Sequence, residues 1–180
     1  ASSPRQSWYA VTHVTIREEE ITVAEFKLQR LLPTLTINVT GVPAGTTVAI
    51  AVEQVAESVL LTEKDANGRY GVIQSAETKA DFGLLTPAAD DATTLCLDGK
   101  RLMPTAASQS RSLLRITTTE ADGTVLTSTA DCPRMELGHY YTLDFQYAVL
   151  SPYMRFEAMT INDWQEGWTI SGEILNPTNK

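Results

Sequence analysis

The stretch Leu114-Arg115-Ile116-Thr117-Thr118-Thr119-Glu120-Ala121-Asp122-Gly123-Thr124-Val125-Leu126-Thr127 decides the fold class. β-branched residues crowd both of its ends, and their bulk near the backbone suits a pleated strand better than a helix. Between them, Asp122-Gly123 supplies the turn chemistry that lets a chain reverse on itself, because glycine takes positive φ without steric cost. The stretch therefore reads as a β-hairpin.

Working outward, apolar residues recur with period two: Leu35, Ile37 and Val39, then Val48, Ile50 and Val52, then Tyr141, Leu143, Phe145 and Tyr147. That is the signature of strands buried on one face. Val42-Pro43-Ala44-Gly45 and Asn67-Gly68 supply further turns. Strands are expected at 8–16, 20–30, 34–40, 47–53, 57–61, 69–74, 79–85, 93–98, 111–119, 124–130, 138–148, 154–162 and 168–175. One segment also fits a helix, since Val52, Val55, Ala56 and Val59 follow helical spacing. Pro87 to Thr94 and Leu102 to Ser112 have the Ala, Ser, Thr, Asp and Pro content of surface loops.

Many short strands without helical segments between them call for two packed layers, because a lone sheet leaves its apolar face wet. The expectation is an all-β sandwich of two mainly antiparallel sheets. With 180 residues, 43% of them hydrophobic, one domain over 1–180 can build a single core, with 1–19 as a leading strand or a linker.

Charge narrows the partners. Fourteen Lys and Arg against twenty-two Asp and Glu leave a formal −8, which repels phosphate backbones and anionic surfaces, so neither nucleic acid nor a membrane surface is expected as a partner. The most apolar stretch, Val48 to Leu61, is broken by Glu53, Gln54, Glu57 and Ser58. It falls short of the about 20 apolar residues of a membrane span. The opening Ala1-Ser2-Ser3-Pro4, without an initiating Met, is the start expected of a chain that has lost a targeting segment or has been truncated. Cys96 and Cys132 fit either one disulfide or two small buried thiols.

Chemistry is sparse. The histidines, His13 and His139, stand apart from any nucleophile motif and have no metal-ligand spacing with the cysteines. The acidic residues fall mainly in turns, such as Asp65, Asp90-Asp91 and Asp122. Asp65-Ala66-Asn67-Gly68 begins like a calcium loop but lacks the closing Glu, and reads as a hairpin turn. Asn38-Val39-Thr40 is a glycosylation sequon set inside a strand. No catalytic residue, cofactor or metal is expected. Among the aromatics Trp8, Tyr9, Tyr140, Tyr141, Tyr153, Trp164 and Trp168, a surface carbohydrate-binding platform would rest on Trp164 and Trp168, whereas strand aromatics more often fill cores.

Gly138-His139-Tyr140-Tyr141-Thr142-Leu143-Asp144-Phe145, followed by Met159-Thr160-Ile161-Asn162-Asp163-Trp164-Gln165-Glu166-Gly167, resembles the end of fimbrillin-like proteins of Bacteroidetes. There a G-x-x-Y-x-L-x-F strand precedes an I-x-D-W-x-x-G turn. Phe26-Lys27-Leu28-Gln29-Arg30-Leu31-Leu32-Pro33-Thr34-Leu35-Thr36-Ile37-Asn38-Val39 is similar to that group's opening strand. The resemblance implies a transthyretin-like sandwich, export as a lipoprotein, and a place on the outer-membrane surface. There the chain would be a stalk, tip or anchor component of type V fimbriae, often built from tandem domains. It further implies other fimbrial subunits as partners, with a host protein or glycan as a further ligand, and polymerisation by strand exchange after an Arg-specific protease acts. Arg5 and Arg17 are the matching processing sites. The donor would be the regular strand from Trp168 to Leu175, with Trp168, Ile170 and Ile174 as its apolar residues. The competing readings are a carbohydrate-binding module without catalysis and an enzyme, the last opposed by the lack of clustered acid and base.

Overall fold

The computed structural model describes residues 7–12, 15, 28–89, 91–147, 154–162 and 167–171, and among these it is all β. In chain order the strands are β1 (Trp8–Tyr9), β2 (Gln29–Arg30), β3 (Thr34–Thr40), β4 (Thr47–Ala56), β5 (Val59–Lys64), β6 (Tyr70–Ile73) and β7 (Glu77–Leu84). There follow β8 (Thr86–Pro87), β9 (Leu95–Arg101), β10 (Ser112–Thr119), β11 (Val125–Cys132), β12 (Tyr140–Tyr147), β13 (Met154–Asn162) and β14 (Gly167–Ser171). A four-stranded sheet runs β11-β10-β4-β7 and a six-stranded sheet runs β14-β13-β12-β3-β9-β8, with two ribbons, β1-β2 and β5-β6, beside them. The pairing of β3 with β12 is parallel and the other described pairs are antiparallel.

Alternation builds the core as the sequence requires. Leu35, Ile37 and Val39 are buried while Thr34, Thr36 and Asn38 between them are only half-buried. Val48, Ile50 and Val52 of β4 and Leu114 and Ile116 of β10 join Tyr141, Leu143 and Phe145 of β12 in one cluster between the sheets. Each such side chain contributes about 1.5–3 kcal/mol on burial. The hairpin around Asp122-Gly123 forms with unbroken register from Ser112↔Cys132 to Thr119↔Val125. Gly123 takes φ 89° at its turn, and the Asp122 carboxylate accepts the Thr124 N–H at 2.8 Å.

Three expectations need correction. The helical alternative over Val52 to Leu61 is excluded, since β4 runs to Ala56 and β5 starts at Val59. Its helix-like spacing comes from a bulge: Gln54 adopts φ 63°, the β4–β7 register shifts between Val52 and Val55, and the alternation slips by one residue. The expected strand at 8–16 is a strand only at Trp8–Tyr9, with 13, 14 and 16 outside the described residues. Of the expected strand at 20–30, Gln29–Arg30 is a strand, and 20–27 lie outside the described residues.

The third concerns Leu102 to Ser112, whose first half is interior rather than surface. Leu102, Thr105 and Ala106 are buried. Backbone groups of this half find distant partners: Leu102 N–H bonds Pro33 O, Thr105 N–H bonds Met135 O, Ala106 N–H bonds Gln54 O, and Pro104 O accepts from Ala56 N–H. Such bonds let an irregular segment lie in the interior, where backbone groups no longer reach water. The Pro87–Thr94 stretch is mostly exposed, as expected, although Thr86–Pro87 makes a two-residue strand.

Cys96 and Cys132 are free thiols, on β9 and β11 respectively, so of the two alternatives the unbridged one holds. Among the described residues no helix is long and apolar enough to cross a membrane.

Candidate functional site

Two sequence motifs far apart in the chain meet in the fold. The opening run around Leu35-Thr36-Ile37 lies parallel to the closing run Tyr141-Thr142-Leu143, with Leu35 opposite Tyr141 and Ile37 opposite Leu143. Asn38 donates its side-chain amide to the Asp144 carboxylate at 2.7 Å across this pair, so the sequon amide is engaged within the sheet. At the start of the pair, Gly138 takes φ 76°, and a Cβ there would come within 3.1 Å of the Arg30 carbonyl. Only glycine lets the two segments approach so closely.

Arg30 ties a third segment to them. Its guanidinium lies 4.6 Å from the Trp8 ring centre and 5.2 Å from that of Tyr140, a cation held between two aromatic faces. β1 pairs Trp8 with Arg30 and Tyr9 with Gln29, and Leu31 N–H donates to Ser7 O at 3.0 Å. Tyr9 continues past the sandwich to the β5–β6 ribbon, donating its hydroxyl to Tyr70 O at 3.0 Å. Burial, and then the nearby Asp65 carboxylate, push the Tyr9 phenol up. The sequence placed Arg30 in a motif and Trp8, Tyr9 and Tyr140 among the aromatics, but nothing local marked them as one cluster.

The sheet edges differ in how they are closed. β8 is two residues long and ends in Pro87, which cannot donate to a ladder. β7 carries Glu77, Lys79 and Asp81 and two register shifts against β4; charge and irregularity of this kind discourage edge pairing. β7 and β8 are separated only by buried Leu85, whose N–H bonds Val48 O at 2.8 Å, so these two edges lie side by side. At the far end of the larger sheet β14 pairs with β13, which pairs in turn with β12.

The residues singled out from sequence fall as follows. Trp168 and Ile170 lie on β14, opposite Ile161 and Met159 of β13, which in turn stand opposite Tyr141 and Leu143. Register thus places Trp168 and Ile170 in line with Tyr141 and Leu143 across the ladder. Arg5, Arg17, Trp164, Ile174, His13 and Tyr153 lie outside the described residues.

His139 is half-buried where β12 begins, with Nδ1 3.0 Å from Leu137 O and Nε2 3.8 Å from Glu136. The Asp65 carboxylate accepts the Asn67 and Arg69 N–H groups at 2.9 and 2.8 Å, the hairpin-turn role expected of it. Those bonds, that from Arg69 most, hold its pKa below the usual carboxylate range. Among the described residues no three His, Cys, Asp or Glu side chains stand close enough to hold a metal ion.

No family model matches the chain, and no curated protein matches it. Solved structures similar to it include candidate cell adhesion proteins from three species. The Bacteroides ovatus protein is 14% identical, over 77% of this chain and 47% of its own, with a TM-score of 0.44. The Bacteroides uniformis protein is 13% identical over 78% and 53%, with a TM-score of 0.47. The Bacteroides fragilis protein is 14% identical over 81% and 52%, with a TM-score of 0.49. The chain thus spans about half the length of the solved structures it matches.

Proposed function

We propose that this chain is a non-catalytic structural or adhesive component of cell-surface fimbriae, joined to neighbouring subunits by strand exchange. In this reading it is a stalk, tip or anchor subunit with a transthyretin-like sandwich, exported as a lipoprotein and displayed outside the outer membrane. The observation that carries the reading is β14. This strand ends the six-stranded sheet and is joined to the fold through β13 alone among the described residues. An edge strand held by one neighbour can leave its own sheet and complete another's, because backbone hydrogen bonds are the same in either setting. The alternation of Trp168 and Ile170 supplies apolar side chains for the receiving sheet, and Ile174 extends the same pattern in sequence. Further support comes from the parallel pairing of β3 with β12, which brings the two fimbrillin-like motifs into one ladder. Proteolysis at Arg5 or Arg17 is the matching activation step.

Deleting residues 168–180 tests the reading. Polymers, followed by size-exclusion chromatography and electron microscopy, are expected to disappear while the monomer keeps its cooperative thermal transition. A monomer that unfolds on this deletion makes the strand part of the core and overturns the proposal.

A further inference from the structure

We infer that β1 is a strap that holds the β5–β6 arm against the end of the sandwich, so that docking of Trp8 and Tyr9 sets how freely the arm opens. The arm needs holding. Apart from half-buried Val59, every residue of β5 is exposed, with Leu60 and Leu61 at 36% and 37%. Its ladder shifts register between Leu60 and Lys64. In β6 Gly71 is buried and its neighbours are half-buried, and a two-stranded ribbon with so little burial is only marginally stable in water.

Tyr9 meets this arm at its second strand. Besides the hydrogen bond to Tyr70 O, the ring packs on Gly71, where a Cβ would lie 3.2 Å from the Tyr9 hydroxyl and 3.2 Å from Leu137 Cδ1. Gly71 has φ 99°, so both its backbone and its surroundings require glycine. The Tyr9 ring and Leu137, from the connection between β11 and β12, thus close on the same point of the arm. The other end of the strap is anchored through Arg30, which sits between Trp8 and Tyr140 at the start of β12. A continuous set of contacts therefore runs from the sandwich through Arg30, Trp8 and Tyr9 to Tyr70 and Gly71. The contribution of Asp65, in the arm's turn, to the raised Tyr9 pKa agrees with this closeness.

Hydrogen exchange read by mass spectrometry on the full chain tests the inference. In Tyr9→Ala, amides of 59–73 are expected to exchange about ten-fold faster, with β3, β10 and β12 unchanged, because local opening is governed by local contacts. Trp8→Ala, one link earlier, is expected to accelerate the same amides, and Tyr9→Phe, which keeps the ring, to do so less. Arm rates that stay at the wild-type value in both alanine variants overturn the strap. So does a rise spread evenly over β3, β10 and β12, which would make Tyr9 a core residue.

Discussion

The Thr105 hydroxyl lies 2.7 Å from that of Ser112, both residues fully buried, and it also accepts the Met135 N–H at 2.7 Å. One side chain thus joins the irregular 102–106 segment, the first residue of β10 and the connection into β12. Nearby, Tyr141 donates to Arg134 O at 2.9 Å and accepts from Glu136 N–H at 2.8 Å, fastening that same connection.

Thr105→Val keeps the shape and removes the hydroxyl, leaving a buried N–H and a buried Ser112 hydroxyl without this partner. The expected loss is about 1–3 kcal/mol in urea unfolding. Ser112→Ala spares the Met135 bond and is expected to cost about 1 kcal/mol. Equal costs would show that the hydroxyl pair, and not the N–H bond, dominates.

Leu102→Ala tests whether the segment is interior. At 1% exposure the side chain sits fully in the core, and its truncation is expected to cost about 2–5 kcal/mol. A surface loop position would lose less than about 0.5 kcal/mol in the same denaturation experiment.

Gln54, at φ 63°, is a non-glycine residue in the left-handed region. Relief of that strain offsets glycine's greater unfolded-state freedom, so Gln54→Gly is expected to leave the melting temperature unchanged or raise it. Gln54→Val, β-branched at the same φ, is expected to lower it. The reverse order would mean that the bulge is held by the Gln54 side chain.

Glu53 and Arg115 pair at 2.6 Å on the outer face of the four-stranded sheet, with side chains 27% and 49% exposed. The hydrogen bond from Arg115 first, and the charges of Arg115 and Lys79 after it, lower the Glu53 pKa. A carboxyl lowered in the folded state stabilises above its unfolded value of about 4.3 and loses that contribution as pH falls through the folded value. Arg115→Met is therefore expected to melt slightly below the parent chain at pH 7, the gap closing as pH drops below about 4. A gap constant over that range would assign the effect to packing.

The two thiols should differ. Cys132 is buried and burial pushes its pKa far up, while Cys96 is half-buried. A disulfide-exchange reagent is expected to titrate at most one thiol in the folded chain and two after denaturation, since the thiolate is the reacting form. One thiol or none after denaturation would indicate a bond between them.

Much of the strand order along the chain was legible because period two and turn residues are local. The hairpin around Gly123, the turn at Gly45 and the turn at Gly68 all stand where Asp-Gly, Pro-Ala-Gly and Asn-Gly placed them, each glycine at positive φ. Legibility failed where a residue's role depends on a distant partner. The Gln54 bulge imitated helical spacing, and Leu102–Ala106 had loop composition because its bonds go to Pro33, Gln54 and Met135 instead of a regular ladder. Of the candidate site, the sequence could name Arg30, Trp8 and Tyr140 but not their stacking.

By itself, the sequence determined that the chain is built of strands, where most of them turn, and which faces are buried, because side-chain alternation follows from the pleat of each strand. Only the tertiary structure decided that β3 runs parallel to β12, that β7 and β8 close one side, and that β14 ends the larger sheet. Those facts depend on backbone hydrogen bonds between segments as far apart as Asn38 and Asp144. The backbone groups that form them are alike in every residue but proline, so no residue type announces which strand its neighbour will be.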